Sequence, residues 1–284
     1  FAPANRKMEI GKRCVLVQVA TPMTYRKLLM AALMFLQLTG GLCSERTEAP
    51  AATPPPGDYV VLIHGLGRTA ASMRTMERAL RREGYRVVNV SYPSTEQTVE
   101  ESATNSLAEI LREHILDPDA QVNFVTHSLG GIVLREYLAQ HHVAHLGRIV
   151  MLAPPNQGSE VVDHLKHGWF YRWMTGPAGQ ELGTDPESLP MRLGPPNFKF
   201  GVIAGDWSLN PFNSWWLPGP DDGKVTIAST QLEGMTDLLV VHNSHTWLPS
   251  RRAVIQATIR FLASNRFTAA PLADYAGIND QPGK

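Results

Sequence analysis

Ser128 stands between a strand-like run, Gln121-Val122-Asn123-Phe124, and a helical one, Ile132-Val133-Leu134-Arg135-Glu136-Tyr137-Leu138. Leu129 follows it, and then Gly130 and Gly131. A strand that gives way to a helix over so few residues needs a sharp turn, and glycine two positions after the serine leaves room for one. This is the pattern of a nucleophile elbow. The turn lifts the hydroxyl out at the carboxyl edge of a sheet and aims the first free helix N–H groups at whatever it attacks. The usual spelling is Gly-x-Ser-x-Gly, and here Thr126 holds the first position. A plainer reading makes Ser128 the N-cap of a helix that follows a buried strand.

Strand-like and helix-like segments alternate from Asp58 to about Ala263. Tyr59–Ile63, Arg86–Val90, Arg148–Leu152, Phe198–Ala204 and Leu238–Val241 read as further strands. The continuous apolar run at Tyr59–Ile63 suits a strand covered on both faces. Helical spacing marks Thr69–Arg82, Val99–Ile115 and Ala253–Leu262. The pattern predicts one α/β domain over residues 58–265, a mostly parallel central sheet with helices on both faces. Residues 161–197 break the alternation with Trp169, Phe170, Tyr171, Trp173 and Met174, then Pro186, Pro190, Pro195 and Pro196. They read either as a cap over an acyl pocket or as a crossover whose aromatics fill the core.

With 284 residues, 43% of them apolar, the chain can bury a large core. Its 26 basic and 26 acidic residues balance, and no basic stripe suggests a nucleic-acid surface. The first 57 residues differ from the rest. Met23-Thr24-Tyr25-Arg26-Lys27 is a basic lead, Leu28 to Leu38 is apolar apart from Gln37, and small residues follow up to Cys43. Residues 23–43 therefore read as a signal peptide, residues 1–22 as upstream non-native translation, and 44–57 as a proline-rich linker. The protein is expected to be exported to the periplasm or medium. Cys43 raises lipid anchoring as a weaker alternative, since Leu42 rather than a small residue precedes it. The two cysteines, Cys14 and Cys43, both lie before the domain. Residues 266–284 read as a C-terminal tail, on the surface from Phe267 onward.

A nucleophilic serine needs a base, and the base needs a carboxylate to fix its tautomer. On an elbow scaffold the order is serine, acid, histidine, with the histidine on a loop after the last strand. Val241-His242-Asn243-Ser244-His245 stands there, and His245 is preferred because it lies further out on the loop. Three acids compete: Asp222, Asp206 and Asp221. Asp222 is preferred, because Gly223 permits a tight turn and Val225 re-enters the core. Asp221 should then face solvent. Two fixed donors should receive a developing oxyanion. One is the Leu129 N–H after the serine. The other is the Leu66 N–H in Ile63-His64-Gly65-Leu66-Gly67-Arg68. No Gly-x-Gly-x-x-Gly or Gly-Lys-Ser/Thr phosphate cradle is present.

Together, His64-Gly65-Leu66-Gly67, Thr126-His127-Ser128-Leu129-Gly130-Gly131, Asp222-Gly223-Lys224-Val225 and His245 resemble the α/β-hydrolase superfamily, nearest to bacterial triacylglycerol lipases and esterases. Ala153-Pro154-Pro155-Asn156-Gln157-Gly158-Ser159 with Asp163 is similar to a Pro-His-x-Gly-Ser…Asp stretch of those lipases, with Pro155 in place of histidine. The resemblance covers about Asp58 to Leu262. It implies Ser128 as nucleophile, Asp222 as acid, His245 as base, and Leu66 and Leu129 as oxyanion donors. It implies a small acyl ester or lipid substrate, with transient contact to a lipid surface. No cofactor is implied, and no ligands are assigned to the structural calcium that such lipases often hold. His141, His142 and His145 read as a solvated helix end rather than a metal site, and Asp163, His164 and His167 as a surface face. An acyltransferase or thioesterase would use the same triad. A non-catalytic binding protein would be expected to lack one of its members.

Overall fold

A computed structural model describes residues 57–209 and 211–268. The expectations for residues 1–22 and 23–43, for the linker up to residue 56, and for the tail from residue 269 lie outside the described residues. Six strands form one sheet: β1 (Tyr59–Ile63), β2 (Arg86–Val90), β3 (Val122–His127), β4 (Leu146–Leu152), β5 (Phe200–Gly205) and β6 (Met235–Val241). Their order is β2-β1-β3-β4-β5-β6, and every pairing is parallel. The first and last strands of the sheet thus lie far apart in space, while β1 and β3 are central neighbours.

The sheet is covered on both faces, as the continuous apolar runs require. Side chains alternate across it. Val61, Ile63, Phe124, Met151 and Val202 point to one layer. Val60, Leu62, Val125, Val150 and Ile203 point to the other. The second layer holds α1 (Arg74–Arg82) through Met76 and Leu80. The first holds α2 (Ala108–His114) through Leu111, and α3 (Leu129–Gln140) through Ile132, Val133 and Tyr137. A turn at Val99–Glu101 and a π-helical stretch at Ser102–Leu107 lead into α2. The sequence suggests one continuous α-helix there, because Ala103, Leu107 and Leu111 keep a four-residue spacing that both helix types tolerate. The segment after β4 carries α4 (Glu160–Leu165) and α5 (Trp169–Gln180), and α5 kinks where Gly176 turns to φ 61° before Pro177. The last helix, α6 (Arg252–Ser264), buries Val254, Ala257 and Phe261 in the second layer.

One placement differs from the sequence reading. Phe267 is not a surface residue. It is 1% exposed, its ring lies 4.6 Å from that of Phe261, and its N–H donates to Asp237 Oδ2 at 2.8 Å. The space it fills exists because Gly201 has no side chain beside the two rings. Of the two readings of the α5 aromatics, core filling holds only for Tyr171, which packs against the first layer. Trp169 is 79% and Trp173 75% exposed.

The topology sets where a ligand can bind. The chain leaves β1 for β2 on one side and returns as β3 on the other, so a crevice opens between the carboxyl ends of β1 and β3. At this point α3 starts so close to β1 that a Cβ on Gly130 would lie 2.5 Å from the Ile63 carbonyl and 2.7 Å from that of His64. Neither backbone oxygen can yield without breaking the sheet. Gly130→Ala is therefore expected to cost about 1–3 kcal/mol of stability through overpacking, measured as a lower urea midpoint at unchanged slope.

Candidate active site

Ser128 closes β3 and opens α3 at φ 53°, ψ −123°, a backbone conformation that is strained for a residue with a side chain. The surroundings hold it there. Its N–H donates to the Leu152 carbonyl at 2.8 Å, and its own carbonyl accepts from Gly131 N–H at 2.9 Å. Gly65 passes so close that a Cβ there would lie 3.1 Å from Ser128 Cβ. The Ser128 side chain faces a pocket of about 150 Å³, which Leu66, Arg68, Lys224 and His245 also line.

His245 is reached from the far side of the sheet, on the loop after β6. It is 4% exposed and Asp222 is 2% exposed. His245 Nδ1 lies 2.7 Å from Asp222 Oδ2. A ring nitrogen that close to a carboxylate carries the hydrogen, which leaves Nε2 as the basic atom. The other carboxylate oxygen, Oδ1, accepts from the N–H groups of Lys224 at 3.1 Å and Val225 at 3.0 Å. These donors replace the water that burial removes from the carboxylate and fix its plane. The backbones are joined too, by His245 N–H to the Asp222 carbonyl at 3.1 Å. Gly205 at the end of β5 permits this approach, since a Cβ there would meet the Asn243 carbonyl at 2.2 Å.

The competing residues pair elsewhere. His242 Nδ1 lies 2.9 Å from Asp206 Oδ1, and both side chains are open to solvent. Asp221 does not face solvent as expected. It is 8% exposed, and its Oδ1 accepts from Gly223 N–H at 2.7 Å and Ser214 Oγ at 2.8 Å. It is a turn-forming residue, drawn inward because the Pro220–Lys224 turn folds back on its own backbone.

Leu66 lines the pocket and Leu129 opens α3 directly after Ser128, and no acceptor among the described residues takes either N–H. The Leu66 loop is braced by two residues that the sequence reading did not single out. Tyr92 Oη donates to the His64 carbonyl at 2.8 Å, and Ser94 Oγ accepts from Gly67 N–H at 3.1 Å. The His64 ring stacks on Tyr92 at 4.4 Å and points Nδ1 at the Gly65 carbonyl, 2.9 Å away. Burial holds the His64 pKa below its ordinary value, opposed by that hydrogen bond, so the ring stays neutral. A usable signal was the position of Tyr92 and Ser94 just beyond the carboxyl end of β2, the strand beside β1.

The model of the alpha/beta hydrolase family matches residues 60–280. The chain belongs to that family. Its fold is similar to that of the Bacillus licheniformis lipase BlEst2 in mature form, with a TM-score of 0.54 and 22% identity over 71% of this chain and 88% of that one. The propeptide form of BlEst2 gives a TM-score of 0.61 at 19% identity over 79% of this chain and 53% of that one. The carboxyl esterase MGS0156, of metagenomic origin, gives 0.55 at 20% identity, over 74% of this chain and 71% of that one. No curated protein matches the sequence. At these identities the likeness establishes the fold.

The hydrolase accommodates its two departures from the family pattern in different ways. Thr126 is fully buried, and its extra bulk faces Gly131, where a Cβ would lie 3.3 Å from Thr126 Oγ1. Pro155 lines the pocket and places an apolar ring where related lipases usually have a histidine. His127, between Thr126 and Ser128, is buried beside His245. Its Nε2 donates to the His245 carbonyl at 3.0 Å, and the two rings lie 5.0 Å apart. Burial first, then the nearby His245 charge, holds its pKa well below the ordinary imidazole value, outweighing the backbone hydrogen bond.

The consequence is a pH dependence of stability. A histidine depressed in the folded state binds a proton only on unfolding, so its contribution is intact above about pH 6.5 and is lost as pH falls below that. His127→Gln keeps a donor for the His245 carbonyl and removes the titration. In urea unfolding between about pH 6.5 and 5, the wild type should lose stability faster than the variant, by up to about 1.4 kcal/mol per pH unit.

Proposed function

We propose that this hydrolase is a serine carboxylesterase of the lipase/esterase type, with Ser128 as nucleophile, His245 as base and Asp222 as its orienting carboxylate. The buried 2.7 Å pair between His245 Nδ1 and Asp222 Oδ2 supports this reading most strongly, because it leaves Nε2 basic in the pocket where the strained Ser128 sits. His245 Nε2 takes the Ser128 proton as Oγ bonds to the ester carbonyl carbon. The carbonyl oxygen becomes an oxyanion and accepts from Leu66 N–H and Leu129 N–H. The C–O bond to the alcohol then breaks, and His245 gives the proton to the departing oxygen. Water, deprotonated by the same nitrogen, attacks the acyl-enzyme. The acid leaves, and Ser128 Oγ recovers its proton.

The shape of the pocket suits an apolar acyl group. Val161, Val162 and Leu165 from α4, with Leu182 beyond α5, make one wall, and Tyr171 and Thr175 of α5 extend it. This supports reading the 161–197 segment as the acyl-side cover of the site. The exposed Trp169, Phe170 and Trp173 on the opposite side of α5 suit contact with a lipid surface.

A fluorophosphonate probe should label Ser128, and Ser128→Ala should abolish both labelling and turnover of p-nitrophenyl esters. Labelling that persists in the variant would mean that another residue is the nucleophile.

Asp222→Asn is expected to lower kcat by about three to four orders of magnitude, by the wrong-tautomer effect. Asp206→Asn, on the exposed pair, should cost less than about tenfold. His245→Ala and His242→Ala should divide in the same way. A crippled Asp206 or His242 variant would reverse the assignment.

A further inference from the structure

Two cations stand in the wall of the Ser128 pocket, neither in an ion pair among the described residues. Arg68 follows the Leu66 loop, and Lys224 follows the Asp222–Gly223 turn. No aspartate or glutamate lines the pocket. The nearest carboxylate in sequence, that of Asp222, already has its oxygens directed to His245, Lys224 N–H and Val225 N–H. The two side chains also feel each other. The Lys224 side chain stays open to solvent, yet the dense protein around it, and then the Arg68 charge, lower its pKa against the pull of Asp222. Like charges held together in one concavity are a standing cost that an anion would relieve.

Their position relative to the reacting atoms says which part of a substrate they meet. His245 must hand its proton to the departing oxygen, so the leaving alcohol lies on the His245 side. The Arg68 guanidinium donates to Thr246 Oγ1 at 3.3 Å, the residue after the base. Lys224 lies two residues from the acid, its N–H on Asp222 Oδ1, and stands where the two walls meet, its carbonyl accepting at 2.7 Å from Ser159 Oγ just ahead of α4. The apolar wall of Val161, Val162, Leu165 and Leu182 comes from a different segment and serves the acyl chain. The pocket is thus polarised, apolar toward the acid and cationic toward the alcohol.

We propose that the natural substrates are acyl esters whose leaving alcohol carries an anionic group, a phosphoryl or a carboxylate, bound by Arg68 and Lys224. The inference rests on the carboxylesterase reading and adds the class of alcohol. The planar guanidinium fork and the ammonium suit either anion through charge-assisted hydrogen bonds.

The test compares matched esters of one acid. Hexanoylglycerol phosphate is paired with hexanoylglycerol, and O-hexanoyl-lactate with O-hexanoyl-lactamide, with hexanoate release followed in all four. The charged member of at least one pair should be preferred in kcat/KM by about tenfold to a hundredfold, the range for hydrogen bonds to a charged group. The pair with the larger preference identifies phosphoryl or carboxylate. In Arg68→Gln/Lys224→Gln the preference should collapse toward unity, chiefly through KM. Lys224→Gln alone, at an exposed side chain, should remove part of it and keeps the test decisive if the double variant does not fold. Neutral and charged esters turned over equally by the wild type, or a preference that survives the substitutions, would overturn the proposal and leave the esterase reading standing. Failure to cleave any of the four esters would sink the esterase reading, and this inference with it.

Discussion

The parallel pairing of β1 with β3 is the constraint on which the pocket depends. Ile63 faces Thr126 in register, so β1 ends one residue before β3, and His64 leaves the sheet beside His127, the last residue of β3. Gly65 then passes beneath Ser128, and Gly130 lets α3 begin against the β1 carbonyls. A slip of one residue would turn every side chain to the opposite face and carry the Leu66 amide away from the serine. Three glycines, at positions 65, 130 and 131, are the steric condition for that pairing. Each marks a place where a side chain would press on a neighbouring strand, loop or turn.

On the other side of the pocket the governing term is desolvation. Burial strips water from the Asp222 carboxylate, and protein donors must replace the lost hydrogen bonds. Lys224 N–H, Val225 N–H and His245 Nδ1 do so, and each comes from a backbone held by the turn or by the end of β5. The second pair, His242 with Asp206, has comparable geometry in the open. Solvent screens it, and its side chains are free to turn away. Two similar contacts a few residues apart therefore have different chemical worth, and burial makes the difference.

The α5 helix shows how a single element can serve the site and still look anomalous in sequence. Tyr171 and Thr175, four residues apart, face the pocket, while Trp169 and Trp173, with the same spacing, face outward. An aromatic-rich helix is expected to be buried on most sides. Here no layer among the described residues covers the outward face, and the large rings remain exposed.

Much of the framework was legible in the residues themselves. Continuous apolar runs marked the strands because a sheet covered on both faces has no polar alternation to hide them. The strand–serine–helix juncture with its glycines could fold sharply in few ways, so Ser128 and the Leu129 amide stood out locally. The partners of that serine could not be read with the same certainty. Asp206, Asp221 and Asp222, and His242 and His245, are chemically equivalent choices on short loops. The pairing of β5 with β6 and the closeness of Gly205 to Asn243 decide which of them are buried together. The inward turn of Asp221, the packing of Phe267 on Phe261, the bracing of the Leu66 loop by Tyr92 and Ser94, and the meeting of Arg68 with Lys224 belong to the same class. Each joins residues through the fold rather than through a motif. Local sequence determines which residues can turn, pack or react, and only the tertiary structure decides which charges lose their water and in whose company.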